Sequence, residues 1–140
     1  GSGETISEVH LPFDVPVLLV YPNVHVATRD IYAQMAAPWD TPIPTPAHFE
    51  DYDALIAFLH QTHNRLQAAA TSVAPVIGSL LNSMSAIPGC DLVRMSGSGS
   101  ACFALFASQA DSDIAARQLS TQFPDYWVRA SCLRGSNGKT

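Results

Sequence analysis

Lysine is nearly absent from this sequence: of 140 residues only Lys139 carries an ammonium side chain, next to the last position. The body of the chain therefore has no ammonium group to clamp a phosphate or to act as a base. Charge is scarce altogether, at 14% of residues against 47% hydrophobic, with a formal net charge of −5. A chain of this length and apolarity buries a core and is not a disordered tail. The arginines, Arg29, Arg65, Arg94, Arg117, Arg129 and Arg134, are scattered. Nucleic acid as the main partner normally needs a clustered basic surface, and none is legible.

Cysteine is also sparse. Cys90, Cys102 and Cys132 are odd in number and lack any Cys-x-x-Cys pairing, which suits buried, reduced thiols better than a disulfide framework. No apolar run approaches the roughly 20 residues of a bilayer span, and the opening GSGETISEV has neither the basic start nor the apolar centre of a signal peptide. The expectation is a soluble, cytoplasmic protein with no membrane partner.

What is present falls into alternating patterns. Val15 to Tyr21 is a valine-rich run bounded by Pro12 and Pro22 and predicts a buried strand. Thr28 can cap a short helix through about Met35. Four prolines between Pro38 and Pro46 remove N–H donors and fix φ, so that stretch, which includes Trp39, is a loop. Tyr52, Leu55, Ile56 and Leu59 fall on one helical stripe, with Glu50, Asp51 and Asp53 at its start. Val73, Val76, Ile77, Leu80, Leu81 and Met84 form a longer one, capped by Thr71 or Ser72 and ended by Pro88-Gly89. Residues 92–95 and 101–106 predict two strands. Asp111 can cap a helix through Gln122 with Ile114, Ala115, Gln118 and Leu119 inward, and the alternation from Tyr126 to Leu133 predicts a last strand. The order β-α-α-α-β-β-α-β, without internal repeat or second domain, predicts one α+β domain over residues 1–140. Its simplest packing is a ferredoxin-like antiparallel sheet covered by helices on one face.

The chemistry-bearing candidates are few. Ser96-Gly97-Ser98-Gly99-Ser100 lies between two core strands, so it belongs inside the fold and is no flexible linker. Its glycines permit positive φ and close approach, and its N–H donors suit an anion-binding nest; by spacing alone an ordinary glycine hairpin serves as well. The tail Gly135 to Thr140 resembles a Walker A loop but has Leu133 where the first glycine is required, and no chain follows to make the helix that holds the phosphates. His60 and His63 have a metal-compatible spacing without a third ligand nearby, so a solvated face is the favoured reading, and no metal site is expected. Trp39 reads as a loop anchor.

Context adds to the glycine loop. The run Leu92-Val-Arg-Met-Ser-Gly-Ser-Gly-Ser-Ala-Cys-Phe-Ala-Leu-Phe106 resembles the third, C-terminal motif of the GHMP small-molecule kinases, in the form of their diphosphocytidyl-methylerythritol branch. Gly3-Glu4, Val17-Leu-Leu-Val20, Pro22-x-Val-x-Val-x-Thr28, Ile31-Tyr32, Asn64-x-Leu66, Ala74-Pro-Val-Ile77 and the closing Tyr-Trp-Val-Arg-Ala130 agree in order. There are departures: Asn23 stands where glycine is usual, Ala27 where serine is common, and Arg65 and Gln67 where acidic residues are usual. The resemblance implies a GHMP kinase C-terminal domain. The ATP-binding N-terminal half, which carries the family's phosphate-binding glycine loop and its catalytic lysine and aspartate, would be absent from this chain. It further implies an intact enzyme that uses ATP and Mg²⁺ to phosphorylate the 2-hydroxyl of 4-diphosphocytidyl-2-C-methyl-D-erythritol in isoprenoid precursor biosynthesis. This chain alone would be inactive and hold no cofactor tightly. Ser96, Gly97, Ser98, Gly99 and Ser100 would form the phosphate and substrate side of the cleft, with Thr28 a further cleft residue, and catalytic residues would belong to the partner half. Another GHMP kinase, for mevalonate derivatives or homoserine, and a stand-alone ferredoxin-like ligand-binding regulatory module are the alternatives.

Overall fold

The computed structural model of the chain describes residues 11–34 and 44–135. Gly3, Glu4, His10, Met35, Trp39 with most of the proline-rich stretch, and residues 136–140 lie outside them.

The valine-rich run forms β1 (Val15–Tyr21), with the bounds read from its flanking prolines. β2 (Cys90–Met95), β3 (Cys102–Phe106) and β4 (Trp127–Leu133) complete a sheet in the order β2-β3-β1-β4, every neighbouring pair antiparallel. Because strand side chains alternate between faces, β1 serves two cores. Leu18 and Val20 join Ala104 and Phe106 on one face, and Val15 and Val17 join Leu92 and Leu105 on the other.

The helices are α1 (Thr28–Gln34), α2 (Tyr52–His60), α3 (Gln67–Val73), α4 (Pro75–Ser85) and α5 (Gln109–Gln122). Four of them close the first face, through Ile31 of α1, Ala69 and Ala70 of α3, Ile77, Leu80 and Met84 of α4, and Ala115 and Leu119 of α5. The other face is covered in part by α2, whose Leu55 packs with Phe49 on Val17, Leu92 and Leu105. Beside β4 no described helix covers that face: the register partners Tyr21 and Trp127 are 40% and 49% exposed and the Arg129 guanidinium carbon sits 5.7 Å from the Trp127 ring centroid.

Three expectations are corrected. The long stripe from Val73 is two helices, not one capped by Thr71 or Ser72: α3 ends at Ala74 (φ −132°, ψ 89°), and Pro75 opens α4. A residue before proline is pushed out of the helical region, and proline lacks the N–H that a continuous helix would need there. Ser108, not Asp111, caps α5, its hydroxyl accepting from the Asp111 N–H at 3.0 Å. The inner stripe is Ser112, Ala115 and Leu119, while Ile114 and Gln118, expected inward, are exposed. In α1, the Ala27 carbonyl accepts from the N–H groups of Asp30 and Ile31, so Ala27 holds the cap position and Thr28 is the first helical residue. No described helix is long and apolar enough to cross a membrane.

Candidate functional site

Residues 96–101 join β2 to β3 at one end of the sheet. The Gly99 N–H donates to the Ser96 carbonyl at 3.0 Å, closing a four-residue turn, and the Ser96 N–H donates to the Ala101 carbonyl at 2.8 Å. Gly97 has φ +56° and Gly99 φ +90°, while Ser98 between them has no positive φ. Positive φ at the first central position is a conformation that glycine supplies in tight turns at no steric cost. An added Cβ at Gly97 would meet nothing within 4 Å, so only its dihedral requires glycine. One at Gly99 would lie 2.8 Å from the Met95 sulfur, so there the space is closed as well.

With Ser96 and Gly99 used inside the turn, the backbone N–H groups of Gly97, Ser98 and Ser100 have no acceptor among the described residues. Ser96 and Gly97 are exposed, Ser98 and Gly99 half-buried, and Ser100 buried. Free N–H donors along a bent backbone are what an anion nest consists of. All five loop residues named from the sequence therefore stand together. Ser100 ties the loop to the segment before α1 by donating its hydroxyl to the Val24 carbonyl. Thr28 is exposed at the start of α1, four residues along, and its hydroxyl has no hydrogen-bond partner among the described residues.

Three further side chains, which sequence reasoning did not assign to the site, brace it: Asn64 and Gln67 at the base of the loop, and Arg94 on the strand that leads into it. Asn64 donates its amide to the Met95 carbonyl at 2.8 Å and to the Gly97 carbonyl at 2.6 Å, while its oxygen accepts from the Leu66 N–H at 2.9 Å. Gln67 accepts from the Met95 N–H at 2.9 Å. Both polar groups of Met95, on the edge strand of the sheet, are thus closed by side-chain amides. Arg94 donates to Thr62 Oγ1 at 3.0 Å and to the Leu59 and Thr62 carbonyls at 2.8 and 2.9 Å, fastening the turn after α2 to β2. The signals for these residues in the sequence are the Asn64-x-Leu66 match, the departure at Gln67 and the place of Arg94 in the run from Leu92.

The remaining candidates have other places. His60 is hydrogen-bonded through Nε2 to the Asp91 carbonyl at 3.0 Å and helps tie α2 to β2, as does Tyr52 by donating to Asp91 at 2.7 Å. Burial, with the neighbouring Asp91 carboxylate, pushes the Tyr52 hydroxyl well above its ordinary range. Asp51 caps α2 by accepting from the Ala54 N–H at 2.8 Å. Cys102, just past the loop, is no nucleophile: burial pushes its thiol up to about 12, so it stays protonated at neutral pH. The loop's N–H groups and hydroxyls suit the oxygens of a phosphate. Among the described residues no group of three or more His, Cys, Asp or Glu could hold a metal.

Comparisons with known proteins bear on the family and the fold. The family model for GHMP kinases C terminal matches residues 47–125. A 4-diphosphocytidyl-2-C-methyl-D-erythritol kinase of Rhodopseudomonas palustris is 39% identical over 95% of this chain and 46% of its own length. A kinase of the same name from Rhizorhabdus wittichii is 43% identical over 86% of this chain and 39% of its own. Among solved structures, a 4-(cytidine 5′-diphospho)-2C-methyl-D-erythritol kinase superposes with a TM-score of 0.68 at 28% identity, over 91% of this chain and 46% of that one. A homoserine kinase from Cytophaga hutchinsonii shares the fold, with a TM-score of 0.57 at 15% identity. The chain spans about half the length of the curated relatives it matches. With the family model covering more than half of its residues, the chain belongs to the GHMP kinase C-terminal family.

Proposed function

We propose that this chain is the substrate-side, C-terminal half of an ATP-dependent kinase. In this proposal the intact enzyme phosphorylates the 2-hydroxyl of 4-diphosphocytidyl-2-C-methyl-D-erythritol in isoprenoid precursor biosynthesis, in the cytoplasm. The observation that carries the proposal is the crest of the 96–100 loop, where the N–H groups of Gly97, Ser98 and Ser100 stand without acceptors among the described residues. The names of the relatives quoted above support the substrate assignment.

Phosphoryl transfer is chiefly positioning and stabilisation of charge on the transferred group. A fixed row of N–H donors contributes to both, by orienting a phosphate and by balancing its charge without an ammonium group. The ATP cradle, the group that polarises the attacking hydroxyl and the carboxylates for Mg²⁺ are assigned to the N-terminal half. Thr28 is assigned to the same cleft because Ser100 links its segment to the loop. The test is amide chemical-shift mapping on the chain combined with its N-terminal half. Addition of diphosphocytidyl-methylerythritol or ATP should move the amides of Gly97, Ser98 and Ser100. Shifts confined to a distant region, such as the exposed Tyr21 and Trp127 face, would contradict the assignment.

A further inference from the structure

We infer, on the strength of the kinase reading above, that Asn64 and Gln67 are positioning residues for the phosphate-side loop. Their hydrogen bonds go to the backbone at and beside the base of the loop, so they set where the crest stands. An N–H donor is useful to a transferred phosphate only if the loop backbone is held within a fraction of an ångström, and misplacement by about 1 Å can cost about a hundredfold in rate. A turn of serines and glycines has little stiffness of its own. Here the stiffness comes from outside the turn. The Asn64 amide bridges the Met95 and Gly97 carbonyls, one on each side of Ser96, and so fixes the direction in which the turn leaves β2.

The Asn64 side chain is itself fixed, since its oxygen accepts from Leu66 N–H in a local turn and the Gln67 N–H donates to the Asn64 carbonyl at 2.9 Å. Gln67 then returns to accept from Met95 N–H. This geometry makes different demands at the two positions. Position 64 must donate twice and accept once, which among side chains of this length only an amide does. Position 67 needs only an acceptor, so a carboxylate meets the same demand as the amide.

The test uses Asn64→Asp, which keeps the size and the bond from Leu66 but puts a carboxylate oxygen where the two donors were, together with Gln67→Ala and Gln67→Glu. Each is measured in the chain combined with its N-terminal half, for turnover and for amide exchange at residues 96–100, with circular dichroism as the check on folding. Asn64→Asp should lower kcat by about ten- to a hundredfold, with KM moving much less, and should speed exchange of the loop amides. Gln67→Ala should do the same more weakly, and Gln67→Glu should recover most of what Gln67→Ala loses. Unchanged kcat and loop exchange in a folded Asn64→Asp would overturn the inference, as would a Gln67→Glu no better than Gln67→Ala. If the wild-type combination shows no turnover, it is the kinase reading that fails. The tether then stands or falls on amide exchange, and a loop as protected in Asn64→Asp as in the wild type overturns it.

Discussion

Alanine at the two loop glycines separates the part of the loop that folds from the part that faces outward. At Gly97 the backbone has φ +56° and an added Cβ meets nothing within 4 Å. Left-handed backbone costs an L-residue roughly 1–2 kcal/mol, and loss of glycine's freedom in the unfolded chain offsets roughly 0.4–1 kcal/mol of that. The net loss for Gly97→Ala is therefore about 1 kcal/mol. Gly99 has φ +90°, and its added Cβ falls 2.8 Å from the sulfur of Met95, a side chain only 1% exposed. Forcing a buried side chain to shift adds about 1–3 kcal/mol, so with the same offset Gly99→Ala should lose about 3 kcal/mol in total. Urea unfolding of each variant measures both values, with an unchanged slope as the sign that the surface exposed on unfolding is the same. Turnover should order them differently. The new methyl at Gly97 projects into the open side of the loop, where a phosphate would stand, so Gly97→Ala should lose at least about tenfold in turnover despite its small stability loss. A Gly97→Ala variant as unstable as Gly99→Ala, or one that keeps full turnover, would refute the reasoning.

Two further outcomes follow from the core. Ser112 is fully buried and its hydroxyl has no hydrogen-bond partner among the described residues, so Ser112→Ala should raise stability by about 1 kcal/mol in the same urea assay, with destabilisation as the contrary result. The Cys102 thiol, moved by burial from 9.0 to about 12, should resist alkylation in the folded protein at pH 8. Because the unfolded state loses that proton near pH 9 while the folded state keeps it, the contribution is complete below pH 9 and is lost as pH rises from 9 towards 12. A Cys102→Ala variant with the same alkaline stability profile as the wild type would contradict this.

How legible the fold was depended on how local the cause is. β1 is bracketed by Pro12 and Pro22, and α4 has a full apolar stripe with Pro75 at its start, so short-range chemistry defines both. α3 left no such mark. Its sequence Gln-Ala-Ala-Ala-Thr-Ser-Val has no apolar period, and burial of Ala69 and Ala70 in the core completes the helix. The stripe of α2 revealed a helix but not which sheet face it covers, because both faces of β1 are apolar. Ile114 looked inward because it is apolar, whereas the face that meets the core is the smaller-residue stripe of Ser112, Ala115 and Leu119, which hydropathy alone does not single out. The loop itself was visible as glycines between two apolar strands. Its supports were not, since the Asn64 and Gln67 bonds to Met95 and Gly97 join residues 28 to 33 positions apart.

The most direct measurement is ATP-dependent phosphorylation of 4-diphosphocytidyl-2-C-methyl-D-erythritol by this chain alone, by its separately expressed N-terminal half alone, and by the two mixed. Turnover only in the mixture is the expected result. Turnover by the chain alone, or a mixture of folded halves that binds substrate and stays inactive, would contradict the assignment of this chain as the substrate-side half of the kinase.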